Sequence, residues 1–309
     1  MDIFGINPVL LASALMIAST PILLAAIGEL VVEKSGMLNL GVEGMMITGA
    51  ISGFIIAVET SSPALGFLFS AIGGAALSLI FAVVTLFFLA NQVATGLALT
   101  LFGLGLSSLM GQGYQGVKPP LTSKLDLGPL SDIPVLGRIF FSHDLIVYIS
   151  LALVLAVWAF LKFTRAGLVL RSCGENAEAA HALGYKVKLI RMGAIAFGGA
   201  CAGLGGAYIS MVRVPQWVDG MTAGAGWIAL AIVVFGAWRA GRVLVGAYLF
   251  GGITVLQLNL QAAGIAIPVE YLSMSPYLIT ILVLVLISAG RARALGAPAA
   301  LGQTFHASR

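Results

Sequence analysis

The stretch K-F-T-R-A-G-L-V-L-R-S-C-G-E-N-A-E-A-A-H-A-L-G-Y-K-V-K-L-I-R, residues Lys162 to Arg191, separates two hydrophobic segments and holds six of the sixteen lysines and arginines in the chain. Hydrophobic residues make up 60% of the 309 residues and charged residues only 9%. A soluble domain usually carries about 25% charged residues. One water-soluble core could not bury so much apolar surface, whereas a bilayer solvates it from outside. The composition therefore predicts an all-α, polytopic membrane protein with a single transmembrane domain over residues 1–309.

Hydrophobic segments long enough to cross a bilayer recur along the chain. A transmembrane helix needs about 17–25 mostly apolar residues. The seventh segment is short and is predicted to be a re-entrant or broken helix. The nine predicted spans are Val9–Ile27, Met37–Val58, Ala64–Leu89, Val93–Met110, Leu145–Leu161, Ile190–Met211, Ala223–Trp238, Val243–Ala263 and Ser273–Ala289.

The basic residues predict how these spans are oriented. Cytoplasmic loops carry an excess of Lys and Arg. With the loop 162–191 placed inside and the spans alternated outward from it, twelve of the sixteen basic residues lie on the cytoplasmic side. The N-terminus is then outside, the C-terminus is cytoplasmic, and the proline-rich stretch 111–144 is an irregular outer loop. The basic excess is therefore a topology signal and does not indicate a nucleic-acid site.

A short helix is predicted inside the basic loop, from Glu175 to Leu183, because this stretch is rich in alanine. Glu175 and Glu178 in its first turn would complement the positive end of the helix dipole. Gly184 is placed to end the helix in a left-handed conformation. From the residues alone, an ordinary connector and a docking helix with a small-residue surface remain equally open. That surface would consist of Ala177, Ala179, Ala180 and Ala182.

Three sequence blocks bear on this choice. G-E-N-A-E-A-A-H-A-L-G, residues 174–184, resembles the cytoplasmic coupling loop of permease subunits from ATP-binding-cassette importers. E-K-S-G-M-L-N-L-G-V-E-G-M-M, residues 33–46, is similar to a block of nucleoside-type permeases in the class that handles sugars, nucleosides and branched-chain amino acids. N-Q-V-A-T-G-L-A, residues 91–98, is similar to a second block of that subgroup. The three blocks occur in the order expected for such permeases.

The resemblance implies a type II importer-like fold of about nine transmembrane helices, some of them broken. It implies a permease subunit in the cell membrane of a bacterium that moves a nucleoside or a related small polar solute. The implied partners are a cytoplasmic ATPase that binds the ATP, a second permease (a paralogue or a copy) and an extracytoplasmic substrate-binding protein. Matched to the loop pattern, the implied coupling residues are Gly174, Glu175, Asn176, Ala179, Ala180 and Gly184.

Polar residues in or near the spans are candidates for the translocation path, because an intramembrane charge costs about 2.5–3.5 kcal/mol on insertion scales. Glu43 has two open interpretations: it lines the path, or it hydrogen-bonds the backbone of a broken helix and only holds the fold. Glu29, nearer the interface, is expected to snorkel or to form a structural pair. The candidates are Asn39, Glu43, Asn91, Gln92, Gln257 and Asn259.

Residues near the outer boundary have predicted roles outside the bilayer core. Trp217 and Trp227 are expected to anchor the membrane interface, where tryptophan is enriched. A docking binding protein is expected to meet the outer-loop residues Arg213, Gln216 and Asp219.

Two other functional classes are weighed against an importer subunit. A secondary transporter driven by an ion gradient would require more intramembrane acidic or histidine residues than Glu29 and Glu43 supply. An intramembrane enzyme would require a nucleophile with a base, or a cluster of metal ligands, and neither pattern is apparent. The phosphate-binding pattern G-x-x-x-x-G-K-[ST] is also absent from the sequence. We therefore expect no catalytic residue, metal or cofactor in this chain.

Overall fold

The structure is a computed structural model that describes residues 8–125, 128, 131, 133–262, 271, 274, 278, 281, 282, 285 and 296–306. A 3-10 turn, Gln112–Tyr114, follows α4, and a π-helical turn, Ile209–Arg213, follows α9. The helices of the described residues are α1 (Pro8–Lys34), α2 (Val42–Thr60), α3 (Pro63–Leu86), α4 (Gln92–Gly111), α5 (Leu136–Phe140), α6 (Leu145–Phe163), α7 (Arg165–Glu175), α8 (Ala177–Ala182), α9 (Val187–Tyr208), α10 (Ala225–Phe235) and α11 (Ala240–Ala262).

The described residues confirm a polytopic helical protein. Seven helices are long and apolar enough to cross a membrane. They coincide with the first six predicted spans and the eighth. The seventh, Ala223–Trp238, contains a helix of only 11 residues, as predicted for a short or broken span. The ninth, Ser273–Ala289, lies outside the described residues except at isolated positions, so the predicted count of nine is not confirmed.

The junction between the first two spans differs from the prediction. The first span was predicted to end at Ile27, but α1 continues to Lys34 and includes Glu29 and Glu33. The second was predicted from Met37, but α2 begins only at Val42. The two acids looked like the end of an apolar span, yet both are buried by other parts of the chain, so the helix continues through them.

Helix α9 lies at the centre of the bundle because its glycines admit three neighbouring backbones. A Cβ atom on Gly203 would overlap the backbone of α3, and one on Gly206 would overlap the backbone of α2. On its α1 side, a Cβ atom on Gly205 would meet the carbonyl of Pro21. Van der Waals packing drives the association of membrane helices, and small residues allow that close packing. These glycines therefore determine where α1, α2 and α3 lie.

The pairing of residues also shows that α2 begins inside the bundle. Gly49 faces Gly203, and Gly53 faces Ala207, so α2 runs parallel to α9. Each helix rises about 1.5 Å per residue, so counting back from this pairing to the first residue of each helix shows that the two helices start at different levels. Helix α2 starts about 14 Å further along the bundle than α9 does. The loop 35–41 must therefore enter the bundle before α2 starts.

The segment between α9 and α10 also enters the bundle. A Cβ atom on Gly226, in the first turn of α10, would overlap the backbone of Glu43 in α2, so the two helices begin side by side. Trp217 in the preceding segment is buried, with its ring 6.2 Å from that of Phe54. The prediction that Trp217 anchors the interface is therefore wrong, since its segment folds inward. Trp227 does stay half exposed.

One end of the bundle carries α7, α8 and the last residues of α1 and α10, and we call it the basic end. The described segment 296–306 also lies at this end, where Lys34 Nζ donates to the Gly296 carbonyl at 2.9 Å. The opposite end carries α5 and the irregular stretch that was predicted as an outer loop. Glu33, Glu43, Gln92 and Arg191 lie between the basic end and the level at which α2 begins.

The close contact of α9 with α3 predicts a large difference between two glycine substitutions on the same helix. Gly203→Ala would push a methyl group into the backbone of α3, whereas a Cβ atom on Gly193 would have no heavy atom of the described residues within 4 Å. We expect Gly203→Ala to lower the free energy of unfolding by roughly 1–3 kcal/mol and Gly193→Ala to leave it unchanged or higher. Thermal unfolding in detergent measures both, and equal stability of the two variants would contradict the packing.

Candidate functional site

Glu43, in the first turn of α2, joins α2 to α10. One carboxylate oxygen accepts hydrogen bonds from Thr222 Oγ1 at 2.5 Å and from the Gly224 amide at 2.9 Å, and the other accepts from the Gly226 amide at 2.7 Å. The side chain is only 3% exposed. The first amides of a helix lack intrahelical partners and lie at the positive end of its dipole. The Glu43 carboxylate therefore satisfies free backbone amides at the start of α10.

These bonds are the ones expected from the second interpretation of Glu43, in which it holds a broken helix. Irregular backbone within a membrane is tolerated only where protein or a water-filled cavity surrounds it. The segment that leads into α10 is irregular through Gly224, whose φ of 84° lies in the left-handed region. A glycine is favoured there because a side chain would strain the turn. The turn thus presents two amides, at Gly224 and Gly226, to one carboxylate.

Most of the other predicted path residues bond to backbone close to them. Asn39 Oδ1 accepts from the Gly41 amide at 3.0 Å. Asn91 Oδ1 accepts from the Ala94 amide at 3.0 Å and so caps α4. Asn259 Nδ2 donates to the carbonyl of Val255 at 2.8 Å. These amides shape local turns and helix ends.

Gln92 and Gln257 differ from these three. Gln92 Oε1 accepts from the Leu38 amide at 2.8 Å, and its Nε2 donates to the Gln303 carbonyl at 3.4 Å. Gln92 therefore ties α4 to the loop 35–41 and to the segment 296–306. Gln257 is half buried and lies, with Asn259, more than about 25 Å along α11 from its start. The six candidates therefore do not converge on one pocket within this chain.

Two more carboxylates lie on α1, one helical turn apart. Glu29 is buried beside Asn39, so the expectation that it snorkels to the interface is wrong. Glu33 is also buried and accepts a hydrogen bond from Trp238 Nε1, just beyond the end of α10. In both carboxylates, Oε1 has no hydrogen-bond partner among the described residues. Helix α10 is thus held by a carboxylate at each end, Glu43 at its start and Glu33 at its finish.

Sequence reasoning missed Glu33 as a site residue. It counted the residue only as the beginning of a matching block and placed it outside the first span. The available signal was its spacing of four from Glu29, which puts both carboxylates on one face of a continuous helix.

The predicted coupling helix is divided differently in the structure. A single helix from Glu175 to Leu183 was predicted, but α7 ends at Glu175 and α8 covers only Ala177–Ala182. The break is at Asn176, which is extended (φ −149°, ψ 97°) and caps α8 by accepting from the Ala179 amide at 2.9 Å. An Asn side chain competes well for such amides. Gly184, with φ 88°, has the left-handed conformation that was predicted.

Helix α8 has one closed and one open face. Ala177 and Ala180 are buried against the rest of the protein, whereas Ala179 is exposed. Leu183, just after the helix, is 77% exposed. Of the predicted coupling residues on α8, Ala179 is therefore open to a partner and Ala180 packs inward.

Arg191 and Gly174 fix α7 to the end of α1. The buried Arg191 guanidinium donates from Nε to the Ser35 carbonyl at 3.0 Å and from Nη2 to the Cys173 carbonyl at 3.1 Å. A Cβ atom on Gly174 would overlap the carbonyl of Lys34. Charge counting treated Arg191 only as a topology signal and missed this role. Together the two residues link the α7–α8 region to the loop that leads into α2.

An apolar cleft of about 530 Å³ also opens at this end, between α1, α6, α7 and α9. Its lining includes Val31, Phe160, Leu170 and Phe197 and contains apolar side chains throughout. A polar solute would lose its hydration there without gaining hydrogen bonds from side chains. This cleft is therefore a poor candidate for the path of such a solute.

The bonds of Glu43 predict that its removal destabilises the fold. Glu43→Ala would leave three donors without their acceptor, and each buried unsatisfied group costs about 1–3 kcal/mol. Glu43→Gln would keep the shape of the side chain but lose its charge, and the NH2 group of the new amide would face groups that are themselves donors. We therefore expect a stability between those of the wild type and Glu43→Ala. Thermal unfolding of the purified chain measures the effect.

Glu59→Ala provides the control, since Glu59 lies on the same helix, is exposed, and accepts a hydrogen bond from Tyr114 Oη at 2.8 Å. A loss for Glu43→Ala no larger than that for Glu59→Ala would contradict the structural role of Glu43.

The chain is similar to known proteins over most of its length. Residues 11–287 match the family described as branched-chain amino acid transport system permease component. "Putative glucose ABC transporter permease protein TsgC13" from Haloferax volcanii is 41% identical over 83% of this chain and 79% of its own length. The nucleoside ABC transporter permease protein NupC from Lactococcus lactis is 33% identical over 90% of this chain and 92% of its own.

The guanosine ABC transporter permease protein NupQ from Bacillus subtilis is 33% identical over 92% of this chain and 93% of its own length. No solved structure matches the chain. The matched residues include the Glu43 junction, α7, α8 and Arg191.

Proposed function

We propose that this chain, which belongs to the family of branched-chain amino acid transport system permease components, forms part of the translocation path for a nucleoside or a related solute. It is a multi-pass membrane protein and a permease subunit of an ATP-binding-cassette importer, and its relatives are permeases rather than enzymes.

The single observation that carries the coupling proposal is the open face of α8. A short helix with an exposed Ala179 and an exposed Leu183 is a suitable insert for a cleft in another protein. The end of α7, directly before α8, is tied through Arg191 to the loop before α2. An ATPase that moved α8 would therefore move the loop that leads to the Glu43 junction. Coupling between distant sites needs such a chain of packed and hydrogen-bonded elements.

We assign the basic end to the cytoplasm. This end of the bundle carries Lys34, the basic residues of α7 to α9, Arg239 and Arg242, in agreement with the positive-inside rule. The opposite end then faces the extracytoplasmic binding protein. The membrane would be the plasma or inner membrane of a bacterium.

The proposed partners follow from this division of labour. A cytoplasmic ATPase would bind the ATP, so the chain needs no cofactor of its own. A second permease, either a paralogue or a copy, would complete the path, which is consistent with the scattered positions of the polar candidates in one chain. An extracytoplasmic binding protein would deliver the solute.

For the solute we propose a nucleoside, with a sugar as the next candidate. The names of the relatives include glucose, nucleosides and guanosine, and all of these contain a hydroxylated ring. The alternative of an ion-driven transporter is weaker, because Glu43, one of its two candidate acids, is engaged with Thr222 and with the start of α10.

Uptake into proteoliposomes tests the solute and the energy source. The complete importer should accumulate radiolabelled guanosine only with ATP, and unlabelled nucleosides should compete better than glucose. Stronger competition by glucose would reassign the solute to sugars. Accumulation by this chain alone under a proton gradient would instead support the secondary transporter.

The open face of α8 predicts the effect of one charge. Leu183→Asp should weaken binding of the ATPase at least tenfold, since a carboxylate would have to enter an apolar contact. It should leave the unfolding temperature of the permease unchanged, since the side chain is 77% exposed. Copurification with the ATPase measures binding.

Leu121→Asp is the matched control, because Leu121 is 91% exposed in the predicted outer loop. Equal ATPase binding by both variants would contradict the assignment of α8 as the docking helix.

A further inference from the structure

The segment 296–306 crosses the basic end and bonds to several elements in turn. Gly296 accepts from Lys34 Nζ in α1 at 2.9 Å. The Ala300 amide donates to the Gly174 carbonyl in α7 at 2.9 Å, and the Gly302 amide donates to the Gly36 carbonyl in the loop 35–41 at 3.1 Å. The segment therefore bridges α7 and the loop that leads into α2.

The far part of the segment closes one face of α8. Phe305 is buried in a cluster with Cys173, Ala177, Ala180 and Val187. Its ring centroid lies 5.6 Å from that of His181 on α8, edge to face. Phe305 thus explains why Ala177 and Ala180 face inward and why only the opposite side of α8 is open.

The backbone of the segment turns at Gly302 and is held by several neighbouring elements. Gly302 has φ 74°, a left-handed conformation that favours glycine. A segment outside the spanning helices is commonly poorly ordered unless it is tied down, and this one is tied at α1, α4, α7 and α8. The Ala299 amide also donates to Glu175 Oε2 at 3.3 Å, beside a cleft of about 400 Å³ whose lining includes Glu175, Asn176 and residues of this segment.

We propose that residues 296–306 form a strap that transmits displacement of α8 to the loop 35–41 and so to the Glu43 junction. The proposal rests on the proposed function in one respect, namely that an ATPase displaces α8. Arg191 provides one link between these elements, and the strap provides a second through Gly36 and Gln92. Phe305 is a positioning residue in this scheme, since it acts through α8 and does not contact the solute.

Cys173 offers a test of the strap that needs no partner protein. Its side chain is 0% exposed and lies in the Phe305 cluster. Burial raises the pKa of the Cys173 thiol above its ordinary value, so little reactive thiolate forms near pH 8. Cys201→Ala removes the other thiol, which is buried in α9, and leaves Cys173 as the single reporter.

In that background, Phe305→Ala, Gly302→Ala and a chain ending at Leu295 should each speed modification of Cys173 by a maleimide at least tenfold at pH 8. Thr304→Ala is the matched control, because Thr304 is exposed on the same segment and should not change the rate. Unchanged rates in all three strap variants would overturn the placement of the segment on α8. If the shortened chain does not fold, the two point variants still decide the question.

The complete importer tests the coupling. With the strap variants, copurification of the ATPase should persist, while solute taken up per ATP hydrolysed should fall at least threefold. Thr304→Ala should keep the normal ratio. An unchanged ratio in variants that do expose Cys173 would overturn the strap as a coupling element. If the unaltered chain binds no ATPase, the proposed function fails and the coupling role fails with it, while the labelling rates still report whether the segment covers α8.

Discussion

The glycines of α9 bring its backbone into direct contact with α1, α2 and α3, and the positions of the other elements follow from that contact. The hydrophobic effect gives membrane helices little reason to associate, because lipid tails are as apolar as leucine. Close approach of backbones supplies the packing energy instead. Gly203 and Gly206 accept neighbours that any side chain would displace. Since α2 packs parallel to α9 with Gly49 opposite Gly203, its first residue is placed inside the bundle, and the chain must supply partners for the polar groups at that point.

The Glu43 carboxylate meets this requirement for α2 and α10 together. Two helices that begin side by side expose their unpaired amides to each other, and both present positive dipole ends. A carboxylate between them accepts from α10 and carries the complementary charge. Glu33 at the other end of α10 accepts a hydrogen bond from Trp238, so a helix too short to span is secured by two acidic side chains of α1 and α2. A charge that is costly in hydrocarbon is stabilised here because every donor around Glu43 is supplied by the protein.

The basic end connects this junction to the surface on which a partner would act. From α8 the connection runs through the end of α7 to Arg191, then to the Ser35 carbonyl and along the loop 35–41 into α2. The segment 296–306 runs alongside it and reaches the same loop at Gly36. Both routes consist mainly of hydrogen bonds to backbone carbonyls, so they depend on the course of the chain more than on the identity of most side chains. These short hydrogen-bonded links would let α7, α8 and the loop 35–41 move together, because the backbone of each element is held directly to the next.

Composition and the length of apolar segments were sufficient for the helical membrane class, for seven of the nine spans and for the short seventh segment, because apolar length is a local property. The left-handed conformation of Gly184 was predicted for the same reason, since it is a local preference of glycine. The sequence blocks were sufficient for the family. Local patterns could not show that α1 continues through Glu29 and Glu33 or that Trp217 turns inward, because these features depend on the other helices around the acids and on the inward-folding segment before α10. The break at Asn176 is a local cap on the Ala179 amide, which the alanine-rich composition alone did not predict. The sequence by itself determined which segments could be helices in a membrane. Only the tertiary structure decided where helices begin and which polar groups are satisfied, because a buried charge or an open amide is stabilised by partners that are distant in the chain.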